Sequence, residues 1–260
     1  YPELPVPAGW REKVKGAIRS REAGLAAGRL RGLAGLLLGC VPPLRSAALL
    51  DVLRLDLAVR GRVLDLGCGR GEVLSRLAGL GWDALGIEPN RRAAGIASAK
   101  GLKVINARFE DVELAPDSFD AVILNHVLEH LADPVGALRA CRGWLRKGGR
   151  LAVLTPNPGS LGHKLFAGSW QPLDPPRHYF LFSSGALSLA AEKAGFSVRS
   201  VTVHSGDAAV VFRNSAALCL RREQERVPGL RLAANCFMAV SRGLSGLGLG
   251  EELLLSAEKR

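Results

Sequence analysis

The stretch Val63-Leu64-Asp65-Leu66-Gly67-Cys68-Gly69-Arg70-Gly71 sets an apolar run directly against alternating glycines. It predicts a strand, Arg62–Leu66, that breaks into a tight loop and opens a helix, Gly71–Leu80. In a parallel α/β sheet, ligands bind beyond the carboxyl ends of the strands, where glycine lets them approach the main chain and a helix start offers free N–H groups. A nucleotide-like ligand fits such a bend. A dinucleotide fingerprint, G-x-G-x-x-G, would need its third glycine at position 72, which is Glu72. A carboxylate there repels a pyrophosphate, so the spacing favours a ligand without one.

Outward from this loop, apolar or β-branched runs alternate with helical patterns. Strands are expected at Trp82–Ile87, Lys103–Asn106, Phe119–Leu124, Arg150–Thr155, Ser197–His204 and Ala208–Arg213, with helices at Arg91–Lys100, Pro134–Leu145 and Ser184–Ala194. Alternation at this spacing means βαβ units and a mostly parallel sheet with helices on both faces, a three-layer α/β sandwich. Residues 61–213 would form this domain. Its stretch 156–183 is irregular and rich in proline, and long ordered loops of that kind usually serve a ligand. Residues 1–60 read as an N-terminal helical cap, broken at Val41-Pro42-Pro43, and residues 214–260 as a C-terminal helical extension.

The strand tips supply the candidate site. Glu88 ends the second strand, 17 residues after Gly71 and followed by Pro89, where a carboxylate can accept both hydroxyls of a ribose. Glu110 and Asp111 follow the third strand and could border a base. Asn125 and His126 close the fourth and would face the cleft.

With these residues in place, the chain resembles class I S-adenosylmethionine-dependent methyltransferases over roughly residues 60–204. The resemblance implies a seven-stranded sheet of Rossmann-like type. It also implies S-adenosyl-L-methionine as cofactor, leaving as S-adenosyl-L-homocysteine, held by Asp65, Gly67, Cys68, Gly69, Gly71, Glu88, Pro89, Phe109, Glu110, Asp111, Asn125 and His126. Ser118–Leu124 with Val127–Pro134 resembles the family's fourth strand and following loop, and Leu145–Leu151 its turn before the fifth. Arg108 departs from the pattern, standing where many relatives have an Asp. Trp170, Asp174, Pro176–Tyr179 and Phe182-Ser183 resemble bacterial small-molecule enzymes of quinone-biosynthesis and polysaccharide-cluster type. For a hydroxyl acceptor a general base helps, and histidine suits neutral pH. His178, in the long loop, ranks first and His126 second, with His130, Trp170, Arg177 and Tyr179 expected to touch the acceptor. Two rivals stay open: a nicotinamide-dependent oxidoreductase, which Glu72 disfavours, and a non-catalytic cofactor-binding scaffold or RNA-binding protein.

The 260 residues are 48% hydrophobic and 23% charged, which excludes a disordered or collagen-like chain. Lys and Arg number 35 against 24 acids, a net +11, of which +8 lies in residues 1–60 and 213–260. Such flanks could attract a phosphorylated or lipid-linked acceptor, lie on an anionic membrane surface, or pack in a homodimer. The five cysteines include no C-x-x-C pair, so neither a disulfide framework nor a metal site is expected. No apolar run has spanning length and no leader pattern is visible, so a cytoplasmic placement is expected, with any contact at the inner membrane surface peripheral. DNA is not an expected partner, because Asn125 is followed by His126-Val127-Leu128 rather than Pro-Pro-Tyr.

Overall fold

The computed structural model describes residues 61–221 and 229–260. The expected cap over residues 1–60 lies outside them. In chain order the elements are β1 (Arg62–Leu66), α1 (Glu72–Gly79), β2 (Asp83–Ile87), α2 (Arg91–Ala99), β3 (Lys103–Ile105), β4 (Phe119–Asn125), α3 (Pro134–Trp144) and β5 (Leu145–Pro156). There follow α4 (Leu161–Phe166), α5 (Ser184–Lys193), β6 (Phe196–His204), α6 (Ala208–Leu220), α7 (Leu230–Leu244) and β7 (Glu252–Lys259). The strands form one seven-stranded sheet in the order β3-β2-β1-β4-β5-β7-β6. β1 to β5 run parallel and β7 antiparallel to both its neighbours.

Local chemistry accounts for the helix starts. Asn90 accepts the N–H groups of Arg92 and Ala93 at the head of α2, Asp133 caps α3 ahead of Pro134, and Ser183 caps α5. The middle strands are covered on both faces, which is why they read as unbroken apolar runs. Leu64, Val122, Leu124, Leu151 and Val153 are fully buried and join Leu138 of α3 and Leu187 of α5 in one core.

Two expectations need correction. Ala208–Arg213 is the first half of helix α6, not a strand; a short apolar run cannot be told from a buried helix by periodicity, and here the pattern continues for 13 residues. The tail is helical over Leu230–Leu244 but ends in β7, which fills the slot between β5 and β6. Its sequence, ELLLSAEK, favours a helix by propensity, yet burial between two partner strands overrides that preference. A boundary at residue 213 would cut α6 and remove an inner strand, so the sheet domain extends to Lys259. The stretch 156–183, expected to be irregular, contains the short helix α4. Among the described residues, no helix is long and apolar enough to cross a membrane.

Candidate active site

The carboxyl ends of β1, β2, β4 and β5 and the start of β7 share one edge of the sheet, since Glu252 is paired with Pro156. The glycine loop lies there. Gly67 and Cys68 both donate their N–H to the Ile87 carbonyl, at 2.8 and 3.1 Å, bending the chain off β1. Gly67, Gly69 and Gly71 all have positive φ, 71°, 55° and 77°. Their surroundings differ. A Cβ on Gly67 would meet Val127 Cγ2 at 2.4 Å and one on Gly71 would meet Leu102 Cδ1 at 2.4 Å, whereas one on Gly69 would meet nothing within 4 Å. The outer two glycines allow close packing, and the middle one faces open space.

Glu88 stands over that opening. Its Oε2 accepts the Gly69 N–H at 2.9 Å and its Oε1 the Asn90 N–H at 2.8 Å. Asn106 fixes the turn by donating to the carbonyls of Glu88 and Pro89. Arg70, Glu88, Asn90, Arg92, Ala93 and Ile96 line a hollow of about 360 Å³.

Asp65, on β1 behind the loop, is 1% exposed, and its Oδ2 has no hydrogen-bond partner. Burial first, then the nearby Glu88, pushes its carboxyl up to about 7. A buried oxygen without a donor, beside an open glycine and a second carboxylate, fits a cationic, hydrogen-bond-donating ligand. A positively charged, hydroxyl-bearing cofactor such as the resemblance implies is of that kind. Burial, followed by Asp65 and Glu88, also pushes the Cys68 thiol up to about 12, so Cys68 acts as packing and not as a nucleophile.

The segment expected beside a base is a single turn, Phe109–Asp111. Phe109 packs against the core, while Glu110 is held by the exposed Arg108 at 3.2 Å. Glu110 is thus engaged by the residue that departs from the family pattern.

The fourth strand ends in Asn125 and the strained His126, whose φ is 54°. His126 Nδ1 lies 3.2 Å from Glu129 Oε1 and Nε2 3.1 Å from Glu252 Oε1. Glu129 also accepts the Thr155 hydroxyl, and Glu252 the N–H groups of Gly206 and Asp207. Burial opposes a charged ring, but the bonds to the two carboxylates outweigh it and raise His126 to about 10. Both ring nitrogens therefore donate, and neither offers a lone pair. The expectation of His126 as a general base is corrected: it is a charged tie between β4, the turn at Leu128–His130 and β7.

His178 differs. Its Nδ1 is 2.6 Å from the Pro172 carbonyl, which only accepts, so Nδ1 is the donor and Nε2 is the nitrogen left out of that bond. Its ring lies edge-on to His130, centroids 4.5 Å apart, and His130 Nδ1 contacts the Arg177 carbonyl. Tyr179 and Phe180 donate their N–H to the Glu129 carbonyl, stitching the long loop to the turn that follows β4. Arg177 pairs with Asp174 at 2.6 Å, and the Tyr179 side chain is exposed. Trp170, expected to touch an acceptor, is 1% exposed. It stacks on His163 and donates Nε1–H to Glu251 Oε2 at 3.2 Å, so it is the core of the loop.

Glu129, Glu251 and Glu252 were not among the expected site residues, yet all three are buried here. Glu129 carried a signal, an acid set between Leu128 and His130 just after a strand. Glu251 and Glu252 carried none, because their partners lie up to 126 residues away.

Comparisons with known proteins bear on the family and the fold. A family profile described as "Methyltransferase domain" matches residues 43–201. A ubiquinone biosynthesis O-methyltransferase of Cereibacter sphaeroides is 35% identical over 117 residues, 42% of this chain and 47% of that protein. One of Xanthomonas oryzae is 40% identical over 111 residues, 40% of this chain and 46% of that protein. The matched part is thus about half the length of these curated relatives. Among solved structures, an S-adenosylmethionine-dependent methyltransferase of Archaeoglobus fulgidus superposes with a TM-score of 0.56 at 20% identity, covering 87% of this chain and 98% of that one. One of Mesorhizobium loti gives 0.55 at 20%, covering 80% and 96%. At that identity the likeness concerns the fold.

Proposed function

Since this chain belongs to the methyltransferase-domain family, we propose that it moves a methyl group from S-adenosylmethionine to an oxygen of a small or lipid-linked metabolite. The observation that carries this reading is the open face of Gly69, flanked by Glu88 and by the unpartnered Asp65 oxygen. The name of the relatives favours oxygen over carbon.

S-adenosylmethionine supplies a methyl carbon bound to a positively charged sulfur. The chain's own residues would do the rest. Glu88 would exchange its bond to Gly69 for the ribose hydroxyls, and bare main chain at Gly69 would lie against the nucleoside. Asp65, ionised by a neighbouring cation, would favour the charged cofactor over the neutral product. His178 would take the acceptor proton at Nε2, held in the correct tautomer by the Pro172 carbonyl. The loop stitched through Tyr179 and Phe180 would keep water from the methyl group.

The test is calorimetric titration of S-adenosylmethionine and of NADH into the full chain and its Glu88→Gln variant. The expected result is binding of the former alone, weakened in the variant by about 1.5–3 kcal/mol, the range for hydrogen bonds to a charged group. Equal affinity in both proteins would remove Glu88 from the site, and binding of NADH instead would overturn the reading.

A further inference from the structure

We infer that helices α6 and α7 form a docking face for an anionic lipid surface, a role independent of the methyl-transfer reading. The inner side of α7, Leu230, Ala234, Phe237 and Ser241, is buried, and Phe237 meets Phe212 of α6 with ring centroids 4.9 Å apart. The outer side sets apolar side chains among the exposed Arg231 and Asn235. Leu232 is 70% exposed and Val240 52%, and just beyond the helix Leu247 is 75% exposed; on α6, Val210, Leu218 and Leu220 are also in solvent. A soluble helix normally turns charged side chains outward, and this many apolar side chains left in solvent on two neighbouring helices, among the described residues, suit a partner surface.

Charge identifies the cover. α6 and α7 hold Arg213, Arg231 and Arg242 and no acid. From residue 208 to residue 250 the sequence has six arginines against Glu223 and Glu225. Two copies of this face brought together would crowd like charges around the apolar centre. Anionic headgroups would instead complement the arginines while acyl chains receive the leucines and valines, the arrangement of an interfacial helix. The same helices also hold the long loop of residues 156–183. The Ser215 hydroxyl of α6 accepts the Gln171 N–H at 2.9 Å, and Phe212 contacts Phe166 of α4. A membrane-bound chain would thus hold that loop close to lipid.

The experiment is co-sedimentation of the full chain with vesicles of phosphatidylcholine alone and of phosphatidylcholine with an equal part of phosphatidylglycerol. Binding to the anionic vesicles, weakening with salt, is expected. The surface variants Leu232→Ser/Val240→Ser and Arg231→Glu should melt like the parent chain. The first should bind at least about tenfold more weakly, by loss of inserted apolar surface. The second should lose about fivefold for each unit of charge changed. Equal binding to both vesicle types, no binding, or variants that bind like the parent would overturn the assignment. A dimer in light scattering that Leu232→Ser/Val240→Ser splits would give the face to a second copy instead.

Discussion

Asp65→Asn is a substitution with opposite effects on stability and on binding, and both follow from one carboxyl. In the unfolded chain an aspartate loses its proton near 3.8, whereas in the folded chain burial, and secondarily Glu88, holds Asp65 protonated up to about 7. Between those values the native state binds a proton that the unfolded state has released. Stability therefore falls as pH rises from about 4 to about 7, by roughly 1.4 kcal/mol per pH unit and about 4 kcal/mol in all. Asparagine has no proton to lose. The unliganded Asp65→Asn variant should match the parent at pH 4 and exceed it at pH 8 by up to about 4 kcal/mol, less whatever its amide costs where Oδ2 now lacks a donor. At about 2–4 °C per kcal/mol for a chain of this size, that is a gain of up to roughly 8–16 °C. A cationic cofactor reverses the preference, because it favours the ionised carboxylate. Titration of the parent near pH 6 in two buffers of different ionisation heat should release on the order of one proton. The variant should release none and bind more weakly. Parallel melting curves from pH 4 to 8, or equal proton release by the two proteins, would refute the role given to Asp65.

The two glycines of the loop should separate folding from binding: Gly67→Ala, driven into Val127, should cost about 2–5 kcal/mol in denaturant titration through overpacking and a strained φ, whereas Gly69→Ala should cost about 1–2 kcal/mol and lower cofactor affinity at least tenfold. Because His126 is raised to about 10 from an ordinary 6.5, its ties to Glu129 and Glu252 add stability in full below about pH 6.5 and lose it as pH rises through 10. The parent's melting temperature should fall between pH 7 and 10, and His126→Gln should flatten that slope; an unchanged slope would sink the assignment. His178→Ala should slow turnover about 10²–10⁴-fold with cofactor affinity nearly intact, and full activity would return His178 to a structural role.

The parts of the fold legible in the sequence are those written in neighbouring residues. Val63–Gly71 carries strand, turn and helix start within nine positions, and Asn90, Asp133 and Ser183 cap their helices through local bonds. Glu88 could be placed because a strand tip follows directly from the strand. β7 could not be placed. Its leucines, alanine and glutamate favour a helix, and only burial between β5 and β6 makes them a strand. Gly67 and Gly69 look alike in sequence, and only Val127, reaching in from the end of β4, assigns one to packing and leaves the other open.

The histidines and the acids follow the same logic. Position in the chain could rank His178 and His126 as bases, but their roles depend on what each ring touches: His178 spends one nitrogen on a carbonyl, while His126 has both nitrogens on carboxylates. One of those carboxylates, Glu252, arrives with the strand that the sequence concealed. Its placement also separates two readings of charge. A net +11 pointed to an anionic partner, yet Asp65, Glu88, Glu129, Glu251 and Glu252 are all buried at or beside the strand ends of one sheet edge. A sum over the whole chain therefore does not describe the strand ends, where Glu129 and Glu252 already face the charged His126 while one oxygen of Asp65 is left without a partner.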